Sequence, residues 1–63
     1  MSMISVNSAA IAAVGYEYGV LAVTFHNTGT YYHYCVPYSV FEALMQASSK
    51  GAFYNRYIRG RYR

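Results

Sequence analysis

The stretch VLAVTFHNTGTYYHYCV, residues 20–36, predicts a β-hairpin, and this hairpin decides the fold. Larger apolar side chains alternate with smaller or polar ones along Val20–His26, which is the period of a two-faced strand. Asn27–Gly29 then offers a three-residue loop with a glycine that can adopt a positive φ. The β-branched and aromatic run Thr30–Val36 is typical of the returning strand.

The length of the loop determines which side chains share a face of the hairpin. A loop of Asn27–Gly29 pairs His26 with Thr30 and Phe25 with Tyr31, whereas a two-residue loop would exchange the faces of the second strand. With the longer loop, one predicted face comprises Leu21, Val23, Phe25, Tyr31, His33 and Cys35. The other predicted face comprises Val20, Ala22, Thr24, His26, Thr30, Tyr32, Tyr34 and Val36.

A further strand and a turn are predicted before the hairpin. Ala10–Tyr16 is apolar enough to form a first strand, and Tyr18 with Gly19 suits the turn that leads into the hairpin. Pro37 ends the sheet on the other side, since it has no N–H to donate to a ladder and is tolerated in the first turn of a helix. The sheet is therefore expected to be a three-stranded meander.

Two helices are predicted after Pro37. The first covers Tyr38–Ala47, where the spacing of an amphipathic helix is formed by Val40, Phe41, Leu44 and Met45. Ser48 or Ser49 can cap a second helix that runs to about Arg59, with Gly60 as its stop. We thus predict an α+β fold in one domain, residues 1–63, with a three-stranded antiparallel β-meander followed by two α-helices packed on one face.

Composition sets limits on the class of protein. A chain of 63 residues buries only about 60% of its unfolded surface, and the single cysteine allows no internal disulfide. Because 56% of the residues are apolar and only 11% are charged, part of the surface is expected to be buried in a contact between subunits. We therefore predict a homo-oligomer. No apolar run approaches the roughly 18 residues of a membrane span, and the N-terminus has no basic signal region. A cytoplasmic protein without membrane contact is expected.

All five Lys and Arg residues lie in the last fourteen residues, KGAFYNRYIRGRYR. A helical wheel of this segment predicts an inward face, made of Phe53, Tyr54, Tyr57 and Ile58, and an outward face, made of Asn55, Arg56 and Arg59. Lys50 with Ser48 and Ser49 would form an anion cradle at the helix start. Arg56, Arg59, Arg61 and Arg63 could add phosphate contacts. The alternative is a solvated helix face with a basic tail.

Nine tyrosines in 63 residues are a second candidate for ligand contact. Tyr32 and Tyr34 share the predicted sheet face that carries small or polar neighbours, where their rings could form a platform for stacking on bases. The alternative is that these rings pack under a helix or across a subunit interface, since tyrosine is enriched in interfaces as well.

Catalytic and metal sites are not expected. His33 and Cys35 point the same way on a strand, but the chain lacks the further ligands of a metal site, and a buried thiol is normally inert packing. Glu17 and Glu42 have no reason to meet, and without aspartate there is no Ser/His/Asp set. We therefore predict no enzyme activity, no cofactor and no metal.

The chain resembles the KTSC family, known from the C-terminus of some lysyl-tRNA synthetases and from small free-standing bacterial and phage proteins. The resemblance covers about Ile11 to Tyr62 and is carried by LAVTF, YYHY, VP before VFEAL, and ASSKGAFYNRYIRGRY. The family's central Tyr-x-Tyr falls either on Tyr31 with His33 in the second place, or on Tyr32 and Tyr34. The resemblance implies a small α+β domain with a suspected RNA-binding function.

The leading functional hypothesis is non-catalytic binding of a phosphate-bearing nucleotide, most simply a small signalling nucleotide such as a cyclic one, which an oligomer would sequester. The predicted ligand-binding residues are Ser48, Ser49, Lys50, Asn55, Arg56, Arg59, Arg61, Tyr32, Tyr34 and His33. The alternatives are an RNA-binding module and a protein–protein interaction module. A small nucleotide is preferred over RNA because the net charge of +3 is low for a protein that binds long strands.

Overall fold

A computed structural model describes residues 1–63, and it forms a four-stranded antiparallel sheet in the order β1-β2-β3-β4, followed by two helices. The strands are β1 (Met3–Ser5), β2 (Ile11–Glu17), β3 (Val20–Phe25) and β4 (Gly29–His33), and the helices are α1 (Tyr38–Gln46) and α2 (Lys50–Phe53), with a π-helical turn (Tyr54–Ile58) continuing α2. The predicted α+β meander with two helices on one face is confirmed. The sequence prediction missed β1, whose three exposed residues show no alternation of side chains.

The turn between β2 and β3 is the one predicted at Tyr18 and Gly19. Both residues have positive φ, 50° and 80°, while Glu17 pairs with Val20 across the turn. Two successive residues with positive φ are characteristic of the type I′ turn, which suits the twist of a hairpin.

The β3–β4 hairpin differs from the prediction in its register. Phe25 pairs with Gly29 and Val23 with Tyr31, so the predicted pair of His26 with Thr30 is wrong. The three loop residues are 26–28 because Gly29, at φ 93°, already belongs to β4. This is a shift of two residues, which preserves the faces of both strands.

Two predicted face assignments at the end of the hairpin are wrong. The chain leaves β4 after His33, and Cys35 adopts a φ of 57°, a strained value for a residue with a side chain. Cys35 consequently points into solvent, and Val36 turns into the core, where it is only 2% exposed. The Tyr16 hydroxyl donates a 2.6 Å hydrogen bond to the Val36 carbonyl and holds this corner against β2.

The core lies between the sheet and the helices and consists of Ile11, Val14, Leu21, Val23, Val36, Leu44, Tyr54 and Ile58. Helix α1 contributes the apolar stripe predicted for it: Leu44 is buried, and Val40, Phe41 and Met45 are half-buried against the core. The helices therefore pack on the sheet face that carries Leu21 and Val23. None of the helices is long and apolar enough to cross a membrane.

The second helix begins as predicted but changes its winding. The Ser49 side chain accepts a hydrogen bond from the Ala52 N–H at 3.4 Å, which caps α2. Past the cap, the Arg59 N–H bonds to the Tyr54 carbonyl, five residues back, at 2.9 Å. The wider turn buries Tyr54 and Ile58 but leaves Tyr57 45% exposed, so the predicted inward position of Tyr57 is wrong.

The chain beyond the π-helical turn folds back along the sheet. Gly60, at φ 78°, ends the helix as predicted. The Tyr34 N–H then donates to the Arg63 carbonyl, and the half-buried Tyr62 packs against the core. The Tyr62 carbonyl therefore lies beside the end of β4, 3.3 Å from His33 Nδ1.

Candidate functional site

A cleft of about 390 Å³ opens between the tip of the β3–β4 hairpin and the π-helical turn. We call it the aromatic cleft; it is lined by Phe25, Thr28, Tyr31, His33, Tyr54, Asn55 and Arg59. The register of the hairpin places Phe25, Tyr31 and His33 on the sheet face that packs against the helices. The π-helical turn supplies Tyr54 and Asn55, and Arg59 follows at its end.

Besides the imidazole of His33, three aromatic rings line the cleft. The Phe25 ring stands edge-to-face with Tyr54, at 5.0 Å between ring centroids and 75° between planes, and with Tyr31, at 5.6 Å and 77°. Such edge-to-face contacts fix ring orientation. Tyr54 is buried, whereas Tyr31 is 47% exposed. The cleft therefore has a fixed aromatic floor and one ring with a surface available for stacking.

A chain of hydrogen bonds runs through the floor of the cleft. His33 Nε2 lies 2.8 Å from the Tyr54 hydroxyl, and His33 Nδ1 lies 3.3 Å from the Tyr62 carbonyl oxygen. A carbonyl oxygen can only accept, so Nδ1 must carry the proton. In the neutral imidazole Nε2 is then an acceptor, and the Tyr54 hydroxyl donates to it.

The Tyr54 hydroxyl is held in its protonated form. Burial raises the pKa of this hydroxyl above its usual value, while the positive charge of Arg59 lowers it by less and the nearby Tyr31 adds a further small rise. Because the hydroxyl remains neutral at physiological pH, its proton stays available for the bond to His33.

Arg59 is the one cation among the residues that line the aromatic cleft. Its side chain is exposed and makes no hydrogen bond or ion pair within the chain, where the sole ion pair joins the Met1 ammonium to Glu17. Asn55, one turn earlier, is also exposed and adds a carboxamide that can both donate and accept. The cleft thus combines aromatic walls with a free guanidinium and a free amide.

Of the predicted ligand-binding residues, the structure brings His33, Asn55 and Arg59 together in the aromatic cleft. The sequence interpretation missed four lining residues: Phe25, Thr28, Tyr31 and Tyr54. A signal for two of them existed, because Phe25 and Tyr31 were predicted on the face of His33. Tyr54 was predicted as packing only, and it both packs in the core and lines the cleft.

The predicted anion cradle lies elsewhere. Ser48, Ser49 and Lys50 border a second hollow of about 260 Å³, whose other wall is the loop between β1 and β2, residues 7–10. The Lys50 ammonium donates a 3.2 Å hydrogen bond to the Ala47 carbonyl at the end of α1. A cation in this position satisfies a free helix carbonyl and complements the helix dipole, so Lys50 has a structural role.

Arg56 and Arg61 do not line the aromatic cleft with Arg59. Arg56 lies beside Tyr57, with 5.6 Å between its guanidinium carbon and the ring centroid, in a shallow hollow on another side of the helix. Arg61 is exposed and lines none of the three hollows. Of the three residues predicted on one outward face, Asn55 and Arg59 line the aromatic cleft, whereas Arg56 lines another hollow.

Tyr32 and Tyr34 are both 54% exposed. Tyr32 lies in β4 on the sheet face turned away from the helices, opposite Ala22 and next to Thr30, whose hydroxyl is 2.7 Å from that of Thr24. Tyr34 lies beyond the end of the strand. Their use as a stacking platform stays a prediction, separate from the aromatic cleft.

The predicted alignment of His33 and Cys35 on one face is wrong, since His33 is buried in the cleft and Cys35 is exposed beyond the strand. His26 is engaged elsewhere, with its Nε2 2.9 Å from the Ser8 carbonyl oxygen. No group of three or more His, Cys, Asp or Glu side chains is placed to hold a metal ion.

Comparison with known proteins places the chain in a family. A protein of Tsukamurella paurometabola is 42% identical over 60 residues, covering 92% of this chain and 90% of that protein. A crystal structure of a KTSC domain protein from Yersinia pestis superposes with a TM-score of 0.94 at 31% identity, covering 98% of this chain and 90% of the other. The family model of the KTSC domain matches residues 7–62. The chain therefore belongs to the KTSC domain family.

Proposed function

We propose that this protein is a non-catalytic nucleotide-binding protein that holds its ligand in the aromatic cleft. The observation that carries the proposal is the convergence of exposed aromatic surface, one guanidinium without a partner and one free carboxamide in a single concave site. A nucleotide needs these three kinds of contact: a ring to stack on, a cation for phosphate, and polar groups for the base edge.

Each contact can be assigned to a residue of the cleft. Tyr31, whose ring is half exposed, offers the stacking surface, and stacking of a base on an aromatic ring contributes about 1–3 kcal/mol. The Arg59 guanidinium offers paired donors in the geometry that phosphate accepts. Since Phe25 and Tyr54 fix each other's orientation at 5.0 Å, the floor of the cleft needs little rearrangement on binding, which limits the entropic cost.

The small-ligand proposal is preferred over RNA because the positive charges are dispersed. Arg59 is in the aromatic cleft, Arg56 is in another hollow, and Lys50 is bonded to the end of α1. A long strand would need a continuous track of cations along its phosphates. RNA binding and protein–protein contact are the alternatives, and a titration with mononucleotides and short RNA distinguishes them from the proposal.

Self-association forms part of the proposal. Exposed tyrosine rings lie outside the cleft as well, at Tyr18, Tyr32, Tyr34, Tyr38 and Tyr57. Tyrosine is enriched in interfaces, and a chain of 63 residues gains stability from a partner copy. Light scattering after size exclusion should give a mass above that of one chain, and a single-chain mass at high micromolar concentration would contradict self-association.

The test of nucleotide binding is a titration of the wild-type protein with mononucleotides and with short single-stranded RNA, followed by calorimetry and by the rise in melting temperature. We expect saturable binding of mononucleotides with weak dependence on salt. Steep loss of RNA affinity with salt, without mononucleotide binding, would replace the proposal by the RNA-binding one. Binding of neither would leave a protein-interaction module.

Two matched variants locate the site. Arg59→Gln removes the cation of the aromatic cleft, and we expect at least about a tenfold loss of affinity, which corresponds to about 1.4 kcal/mol. Arg63→Gln makes the same change of charge at an exposed side chain that lines no hollow, and we expect wild-type affinity. Equal losses in both variants would point to general charge attraction instead of a site.

A further inference from the structure

The number of cations in the aromatic cleft limits the charge of its ligand. Arg59 is the sole Lys or Arg that lines it, and the other four lie outside. One guanidinium can bind one phosphate through two parallel hydrogen bonds. A second or third phosphate would find no further cation in the cleft. The charges therefore fit a ligand with one phosphate group.

The size of the cleft agrees with this limit. At about 390 Å³, the cleft is at the lower end of the roughly 300–1,000 Å³ that is usual for small-molecule sites. Tyr31 also has the only exposed ring of the cleft, since Phe25 is half-buried and His33 and Tyr54 are buried. One stacking surface and one cation describe a single nucleotide unit.

The hydrogen bonds in the floor of the cleft determine which donors and acceptors remain for the edge of a bound base. The proton of the Tyr54 hydroxyl is committed to His33 Nε2 because Nδ1 already donates to the Tyr62 carbonyl. Tyr54 can therefore offer the cleft lone pairs but no proton. Besides Arg59, the donors that remain are the Asn55 amide and the hydroxyls of Thr28 and Tyr31, and these three groups accept as well. The Tyr54 oxygen therefore adds an acceptor to the cleft without adding a donor, which favours a base edge that carries an amino group.

Asn55 narrows the class of base further. The carboxamide of asparagine matches the edge of adenine, where it accepts from the exocyclic amino group and donates to a neighbouring ring nitrogen. Building on the nucleotide-binding function above, we propose that the aromatic cleft selects a single adenine nucleotide with one phosphate, which Arg59 holds while Asn55 reads the amino-bearing edge. Both adenosine 5′-monophosphate (AMP) and its 3′,5′-cyclic form have this chemistry.

Calorimetry on the wild-type protein tests the proposal with four probes. AMP and cyclic AMP are compared with inosine 5′-monophosphate (IMP), which has a carbonyl in place of the amino group, and with ATP. We expect AMP or cyclic AMP to bind about tenfold or more tightly than IMP, the equivalent of one matched base contact. We expect ATP to bind no more tightly than AMP. The tighter of AMP and cyclic AMP identifies which form of the phosphate fits.

The outcomes separate this proposal from the function on which it rests. Binding of AMP and IMP with equal affinity, or tenfold tighter binding of ATP, would overturn the selection of one phosphate and an amino-bearing base while leaving nucleotide binding in place. Failure of every mononucleotide to bind would overturn both. All of these results are obtained with the wild-type protein.

A pair of variants tests the assignment to Asn55. Asn55→Ala removes an exposed carboxamide, and we expect the ratio of AMP to IMP affinity to fall from about tenfold towards one. Gln46→Ala removes an exposed carboxamide at the end of α1, outside all three hollows, and the ratio should stay at the wild-type value. An unchanged ratio in Asn55→Ala would show that another group reads the base.

Discussion

Lys50 and Arg59 are two cations of one helical segment, at its two ends, and the fold uses them in opposite ways. The Lys50 ammonium is bonded to the Ala47 carbonyl and stabilises the corner between α1 and α2. The Arg59 guanidinium has no partner within the chain and borders the aromatic cleft. Positive charge in the sequence therefore does not by itself indicate a ligand site. A cation is available to a ligand only where the chain does not already supply a hydrogen-bond acceptor or an ion-pair partner for it.

The largest expected effect on stability comes from a substitution in the floor of the aromatic cleft, at Tyr54. Tyr54→Phe removes the hydroxyl that donates to His33 Nε2 at 2.8 Å. The buried nitrogen then has no partner, so we expect the free energy of unfolding to fall by about 1–3 kcal/mol. Urea denaturation monitored by circular dichroism measures this loss.

The matched control for that prediction is Tyr57→Phe. Tyr57 lies three residues further along the same π-helical turn, but it is 45% exposed, and its hydroxyl makes no hydrogen bond within the chain. The free energy of unfolding should change by less than about 0.5 kcal/mol. If both variants lost the same stability, the hydrogen-bonded floor would have no special role.

A second prediction tests the different roles of Lys50 and Arg59 directly. Lys50→Met keeps the aliphatic stem but loses the bond to the Ala47 carbonyl, so we expect the free energy of unfolding to fall by about 0.5–1.5 kcal/mol with nucleotide affinity unchanged. Arg59→Gln should do the reverse, lowering affinity and preserving stability, because its side chain has no partner in the fold. Urea denaturation and calorimetry are carried out on both variants.

That pair of variants also decides between the two readings of the basic segment. Loss of nucleotide affinity in Lys50→Met, with stability intact, would restore the anion cradle that the sequence predicts at Ser48, Ser49 and Lys50. Loss of stability in Arg59→Gln would show that this guanidinium makes contacts in solution that the structure lacks.

The sequence predicted the sheet better than the helical segment, for a physical reason. Side chains of a strand alternate with a period of two, so the two-residue error in the register of the β3–β4 hairpin left Phe25, Tyr31 and His33 on their predicted face. A helical wheel tolerates no such error. The π-helical turn at Tyr54 changes the rotation of every later residue, which exposed Tyr57 and separated Arg56 from Arg59.

The polar contacts of the candidate site could not be read from the pattern of residues. The partner of Lys50 is a backbone carbonyl, and so is one partner of His33, at Tyr62. Every residue has a carbonyl, so composition gives no sign of which one is free. The position of Lys50 three residues after Ala47 was the available hint, because cations often bond to the last carbonyls of a helix.

The smallest predicted effect comes from the pKa of the Tyr54 hydroxyl in the floor of the aromatic cleft. Burial raises the pKa of this hydroxyl in the folded state above its ordinary value of 10.0. The unfolded chain therefore loses its proton at lower pH than the folded chain. The contribution of Tyr54 is fully present below pH 10 and is lost as the pH rises through the folded-state pKa.

We accordingly expect the free energy of unfolding to fall more steeply above pH 10 in the wild type than in Tyr54→Phe, which lacks the titrating group. Urea denaturation at a series of alkaline pH values measures both slopes. Tyr57→Phe should follow the wild type because this variant keeps the Tyr54 hydroxyl. Equal slopes in wild type and Tyr54→Phe would mean that the hydroxyl titrates alike in the folded and unfolded chains. Burial in the floor of the cleft would then have no net effect on the pKa of this hydroxyl.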